Sequence, residues 1–143
     1  MFLVDTNVLV DIFNDDPTWR SWSENAIRDA LVAGTVGINP IVYAETSLGF
    51  SDTRVLDDHL ENLMLARLPL PFGAAFRAGR AFLRYRRAGG ARTSPLPDFY
   101  IGAHAETEGL TLLTRDVGRY RSYFPSLELI APPEAPQDTR PGH

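Results

Sequence analysis

The chain has 143 residues, of which 44% are hydrophobic, a formal net charge of -4 and no cysteine. That length supports one compact core rather than two domains, and the lack of cysteine excludes disulfides, thiolate zinc sites and cysteine nucleophiles, so any metal must be held mainly by oxygen. A pI near 5.3 argues against coating nucleic acid by charge alone, although it does not exclude a local basic groove.

All 14 basic residues are arginine, which compositional bias explains as well as a need for bidentate phosphate contacts. No apolar run approaches the roughly 18 to 20 residues of a membrane span, and Met1 leads straight into a strand without a basic leader. A cytoplasmic protein with no membrane partner is the expectation.

In chain order, Phe2 to Val4 reads as a short buried strand that passes directly into a helix over Thr6 to Phe13. Asp16-Pro17 supplies an N-cap and a first-turn proline for a helix reaching Ala33. Val36 to Ile38 is a second strand, and Asn39-Pro40 repeats the cap-and-proline signal for the helix carrying Glu45. Asp52 to Met64 has apolar residues at helical spacing, and Leu65 to Leu70 reads as a third strand broken by Pro69 and Pro71.

Phe72 to Ala88 reads as a long helix stopped by Gly89-Gly90. Its Arg77, Arg80, Arg84 and Arg87 fall within an arc of about 80° at about 100° per residue, beside an apolar stripe of Phe72, Phe76, Gly79 and Leu83. The arginines form either a solvated face or a phosphate-contacting ridge. Gly89 to Pro97 is loop-like and is a candidate lip for a cleft. Asp98 to Glu108 is a helix, Leu110 to Thr114 a buried strand, Val117 to Phe124 a short helix and Leu127 to Ile130 a last strand. The expected organisation is a single domain over 1–131 followed by a proline-rich, flexible tail over 132–143.

Short strands alternating with helices predict an α/β fold whose central sheet is mainly parallel and flanked by helices on both sides. Sites in such sheets lie beyond the carboxyl ends of the strands. Asp5 and Asp116 occupy that edge, and the helices near Glu45 and Asp98 can reach it, so the four acids are expected to converge. Clustered carboxylates repel unless cations neutralise them. Mg²⁺ or Mn²⁺, as one or two ions, suits an all-oxygen donor set, and phosphodiester hydrolysis is the natural reaction class.

Thr6, Asn7 and Thr114 are candidate supports that orient the acids or a bound water, with helix capping and strand packing as their plainer roles. Arg115 is a candidate phosphate contact or one half of a structural ion pair. His104 lies six positions past Asp98 and off its helix face, which favours packing. His59 reads as a partly buried packing residue, and Trp19 and Trp22 as core or interface residues. Tyr85 is a candidate platform for stacking an RNA base.

The motifs Val4-Asp5-Thr6-Asn7, Tyr43-Ala44-Glu45, Leu96-Pro97-Asp98-Phe99-Tyr100 and Leu112-Leu113-Thr114-Arg115-Asp116, in this order and at this chain length, resemble those of the PIN-domain ribonucleases, and among them the VapC-type toxins of bacterial toxin–antitoxin modules. The resemblance spans nearly the whole chain. It implies a PIN-like three-layer sandwich and a Mg²⁺- or Mn²⁺-dependent endoribonuclease site on Asp5, Glu45, Asp98 and Asp116. It also implies a VapB-type antitoxin partner, a homodimer, and structured cellular RNA such as tRNA or rRNA as substrate. A catalytically dead binding module, and a phosphatase or DNA nuclease of related architecture, are the competing readings.

Overall fold

The computed structural model describes residues 1–90 and 96–133. In chain order these form β1 (Phe2–Val4), α1 (Thr6–Phe13), α2 (Arg20–Ala33), β2 (Val36–Ile38), α3 (Pro40–Ser47), α4 (Thr53–Asn62), β3 (Ala66–Arg67), α5 (Phe72–Arg87), α6 (Leu96–Glu108), β4 (Thr111–Leu113), α7 (Gly118–Tyr123) and β5 (Leu129–Ile130). The strands lie in the order β3-β2-β1-β4-β5, and every pairing is parallel. Each parallel step needs a crossover, and the helices that supply them cover the sheet's faces. This is the expected α/β sandwich.

The inner strands β1 and β2 are apolar throughout, because both faces of the sheet are covered there. Leu3, Val4, Leu112 and Leu113 are fully buried, and Leu3 pairs with Leu112 and Val4 with Leu113 across the sheet centre. Burying a side chain of this kind stabilises the fold by about 1.5–3 kcal/mol. Gly37 in β2 fills a place no larger residue fits, since a Cβ there would stand 2.7 Å from the Leu68 side chain.

The sequence signals set most boundaries. Asn39 caps α3 through its side chain, accepting from Val42 N, with Pro40 behind it, and Asp52 caps α4 by accepting from Arg54 N. Several elements begin or end elsewhere than expected, α6 starting at Leu96 and β5 narrowing to Leu129–Ile130. Asp16 does cap, accepting from the amides of Thr18 and Trp19 at 2.9 and 2.8 Å, but the segment it caps is an irregular turn and α2 starts only at Arg20. The third strand shrinks to Ala66–Arg67, because Pro69 and Pro71 cannot donate to a ladder.

The apolar stripe read on α5 is not its buried face. Ala74, Ala78 and Ala81 are buried against α6, whereas Phe72 is 95% and Phe76 70% exposed. Small alanines let two helices approach closely, and that geometry wins over side-chain size. Residues 91–95 of the loop read as a cleft lip, and 134–143 of the tail read as flexible, lie outside the described residues.

Candidate active site

Strand order reverses at β1, whose neighbours are β2 on one side and β4 on the other. Ligands in open parallel sheets bind beyond the carboxyl ends of strands at such a switch point. Asp5 follows β1 there and Asp116 lies three residues past β4, with the Asp5 amide bonded to Leu113 O at 2.9 Å across the gap.

Asp5 is buried, at 3% exposure, and caps α1 by accepting from Thr6 N at 2.7 Å. Because the cap is Asp5 itself, the Thr6 side chain is not needed for capping, and its hydroxyl donates instead to Glu45 Oε1 at 2.7 Å. The second oxygen of Asp5 accepts from Thr114 Oγ1 at 2.8 Å, from Tyr120 OH at 2.9 Å and from Asn7 Nδ2 at 3.3 Å. Thr114 Oγ1 in turn accepts from Asp116 N at 3.0 Å, and Asn7 Oδ1 accepts from Arg115 N at 3.2 Å. Thr6, Asn7 and Thr114 thus stitch β1, α1, α3 and the turn after β4 into one network.

Despite its four donors, Asp5 is pushed up from 3.8 to about 6, chiefly by burial and further by the negative charge of Asp98. Asp98 sits in the first turn of α6. Burial raises it as well, against the lowering effect of Arg119, and Asp116 adds to the rise. The Tyr120 hydroxyl is held well above its ordinary value by burial and by the fields of Asp5, Asp98 and Asp116. One tyrosine therefore registers three of the four acids, and Thr6 ties the fourth, Glu45, to the residue beside Asp5.

Among the described residues no three acids stand as a closed ligand cage. Asp5 feels the charge of Asp98 and Asp98 that of Asp116, while Glu45 is linked to the group through Thr6. Arg119 Nη1 bonds Asp98 Oδ2 at 2.6 Å, placing a positive charge against that acid. The donors nevertheless fit a hard divalent cation. They are all oxygen, and at Asp5 and Asp98 ionisation is opposed by burial and by a neighbouring acid's charge, which a cation relieves.

The arginines divide differently from the sequence expectation. Arg77 is paired with Glu106 at 2.8 Å and Arg84 donates to Tyr123 O at 3.0 Å, while Arg80 and Arg87 are exposed. None of the four is hydrogen-bonded to an acid of the site among the described residues. Arg115 takes the structural alternative. Its Nε and Nη2 grip both oxygens of buried Asp11, the second at 2.8 Å, and its guanidinium lies 5.1 Å over the Trp19 ring.

His104 is buried and meets Asn39 Nδ2 through Nδ1 at 3.1 Å, supporting the α3 cap. Burial lowers its pKa, so the ring accepts from the amide as neutral imidazole. His59 is more exposed than expected, yet its ring sits edge-on to Phe13 and Phe50 at 5.4 Å from each. Tyr85 packs against Phe82, Phe99 and Tyr123, a core role rather than an open platform.

Sequence reasoning missed Asp11 as part of the site's frame, and noted Arg119-Tyr120 only as following the fourth motif, with no role assigned. The available signal was an aspartate inside the apolar run Val8-Leu9-Val10-Asp11-Ile12, and an Arg-Tyr pair three and four positions after Asp116.

A family model described as PIN domain matches residues 2–123. The chain belongs to the PIN-domain family. It is 30% identical over 131 residues to toxin FitB of Neisseria gonorrhoeae (strain ATCC 700825 / FA 1090), a match that covers 84% of this chain and 91% of that protein. The crystal structure of FitAcB from Neisseria gonorrhoeae superposes with a TM-score of 0.64 at 27% identity, covering 90% of this chain and 96% of that one. VapBC2 from Rickettsia felis, bound to a DNA fragment from its promoter, gives a TM-score of 0.70 at 21% identity over 91% of this chain and 97% of that one, a likeness of fold. This PIN domain thus resembles a toxin in sequence and the VapBC2 and FitAcB structures in fold.

Proposed function

We propose that this PIN domain is a divalent-metal-dependent endoribonuclease and the toxin of a toxin–antitoxin pair, hydrolysing structured cellular RNA (tRNA or rRNA) and so arresting translation and growth. The observation that carries the proposal is the coupling of Asp5 to Asp98 at the β1/β4 switch point, where burial and Asp98 lift Asp5 to about 6. A buried carboxylate kept within reach of a second acid's charge, among all-oxygen donors, is an arrangement that a bound cation relieves.

Asp5 and Asp98 are assigned as direct ligands, Glu45 as a ligand or as the orienter of the attacking water, and Asp116 as acting through a water. Mg²⁺ or Mn²⁺, as one ion or two, supplies activation of the attacking water and neutralisation of the leaving oxygen in an in-line displacement. The chain's own residues keep the acids aimed. Thr6 holds Glu45, while Thr114, Tyr120 and Asn7 hold one oxygen of Asp5 and leave the other to the Thr6 amide. No histidine is required, which agrees with the neutral, packed His104.

The partner reading draws on the solved structures of like fold, which include VapBC2 from Rickettsia felis, FitAcB from Neisseria gonorrhoeae and a toxin–antitoxin complex from Klebsiella pneumoniae. It comprises a VapB-type antitoxin covering the approaches to the site, a toxin homodimer, and action in the cytoplasm. No helix among the described residues is long and apolar enough to cross a membrane.

Expression of the chain followed by mapping of new RNA 5′ ends tests the reading, with Asp98→Asn as control. Cleavage at defined sites in the wild type and none in the variant is the expected result. Equal cleavage by both overturns the metal mechanism, and hydrolysis of DNA or phosphomonoesters in preference to RNA overturns the substrate.

A further inference from the structure

α5 carries five arginines and no acidic residue in a chain whose net charge is -4. Turned at about 100° per residue, Phe72, Leu83, Phe76, Arg87 and Arg80 fall within an arc of about 80°. That arc lies opposite the buried face of Ala74, Ala78 and Ala81. Phe72 and Phe76 are 95% and 70% exposed, and the Arg80 guanidinium lies 5.0 Å over the Phe76 ring. Solvent-facing phenylalanines one helical turn apart have no packing reason to be there.

The stripe also points somewhere. α5 runs antiparallel to α6: its first half meets the C-terminal part of α6 through Arg77 and Glu106, and its last turns meet the N-terminal part through Tyr85 and Phe99. Asp98 stands next to Phe99, and Arg119 bridges Asp98 to the Tyr85 ring at 5.8 Å. The stripe therefore starts at Arg87, at the end of α5 nearest the acids, and extends to Phe72 about 22 Å away at 1.5 Å per residue.

We infer that this outer face of α5 is a binding track for a single-stranded stretch of RNA, with Phe76 and Phe72 stacking bases and Arg80 and Arg87 meeting phosphates. The inference rests on the RNA-cleaving reading above and extends it to a surface remote from the acids. Single strands are bound by this pairing of aromatic platforms with positive side chains, and stacking does not require a particular base. Charge selects among occupants. A second copy of the same face would set arginine against arginine, whereas a polyanion is matched to them. Arg77 and Arg84, which turn toward Glu106 and Tyr123, have no part in the track.

The test is binding rather than cleavage, in the full chain with Asp98→Asn and a fluorescein-labelled oligouridylate of about 12 nucleotides. Phe72→Ala and Phe76→Ala are each expected to weaken binding by roughly tenfold or more, the scale of one lost base stack. Arg80→Ala and Arg87→Ala are expected to weaken it and to lower the slope of affinity against salt by about one each. Phe76→Trp should keep the affinity and gain a tryptophan emission that RNA quenches. Unchanged affinity in the Phe72→Ala, Phe76→Ala double variant overturns the inference. So does unchanged affinity accompanied by a change in sedimentation, which assigns the face to a protein contact. Wild-type chain that binds through the stripe yet cleaves nothing would refute the nuclease reading and leave the track standing, so the two fail separately.

Discussion

The Tyr120 hydroxyl, on α7, donates to Asp5 Oδ2, just after β1, at 2.9 Å. Both groups are buried, Tyr120 at 1% and Asp5 at 3% exposure. A carboxylate in so enclosed a place is costly to ionise, and the hydroxyl is one of the donors that offset that cost. Because the same hydroxyl lies in the fields of Asp98 and Asp116, its position ties the protonation of the site to the docking of α7.

Tyr120→Phe removes that donor and keeps the ring that fills the core. Asp5 should then rise above its value of about 6, since the Tyr120 bond is among the influences that lower it. If RNA cleavage needs ionised Asp5, the acid limb of the pH–rate profile, which a bound cation places below about 6, moves to higher pH in the variant. Superimposable limbs in wild type and variant would remove Tyr120 from the site's electrostatics.

Asp5→Asn should stabilise the protein when chelator is present. The folded pKa of Asp5 is raised from 3.8 to about 6, so the native state binds this proton more tightly than the unfolded chain does. The resulting stability is fully present below pH 3.8 and is lost as pH climbs through about 6. At about pH 8 the ionised carboxylate thus costs about 3 kcal/mol, the equivalent of a rise of about two pH units. The amide avoids that cost but sets its Nδ2 against the Thr6 N–H, forfeiting about 1 kcal/mol of the helix cap, so melting of Asp5→Asn at about pH 8 should still occur a few degrees above wild type. The gap should close at about pH 4, and Mg²⁺ should raise the melting temperature of the wild type more than that of the variant.

Much of this was legible in the chain. Asn39-Pro40 and Asp52 announced their helices because capping is a local interaction, and the apolar triplets of β1, β2 and β4 announced buried parallel strands. The acids were legible as strand-end residues in four ordered motifs. What escaped notice depends on partners distant in sequence. Arg119 and Asp98 are 21 residues apart, and Tyr120 and Asp5 are separated by 115. Helical spacing identified two stripes on α5, but neither is the face buried against α6, where close approach favoured alanine over phenylalanine.

Gly102→Ala should damage the site without touching an acid. A Cβ at Gly102 on α6 would lie 2.7 Å from the Phe124 ring and 3.1 Å from Tyr120 Cδ1. Both rings are buried, so α7 must shift to accommodate the methyl group, and overpacking of this kind costs about 1–3 kcal/mol. The expected outcome is a lower melting temperature together with RNA cleavage reduced beyond the loss of folded protein. Gly79→Ala on α5, where a Cβ meets nothing within 4 Å, is the matched control and should leave cleavage unchanged while modestly stabilising the helix.

Arg115→Ala separates a structural cation from a substrate-binding one. Arg115 holds both oxygens of Asp11, a residue only 2% exposed whose other side-chain partner is Ser23 Oγ at 2.9 Å. Removing the guanidinium leaves a buried charge half-compensated, and breaking such pairs costs about 3–5 kcal/mol, with the lower end fitting an arginine still partly open to water. Stacking over Trp19 is lost as well. Denaturant unfolding should therefore show a large fall in midpoint. Double replacement by Asp11→Leu and Arg115→Met should recover much of it, because an apolar pair carries no uncompensated charge. Cleavage per folded molecule, and its salt dependence, should stay near wild type in the double variant. A selective loss of RNA affinity with stability restored would instead return Arg115 to the substrate.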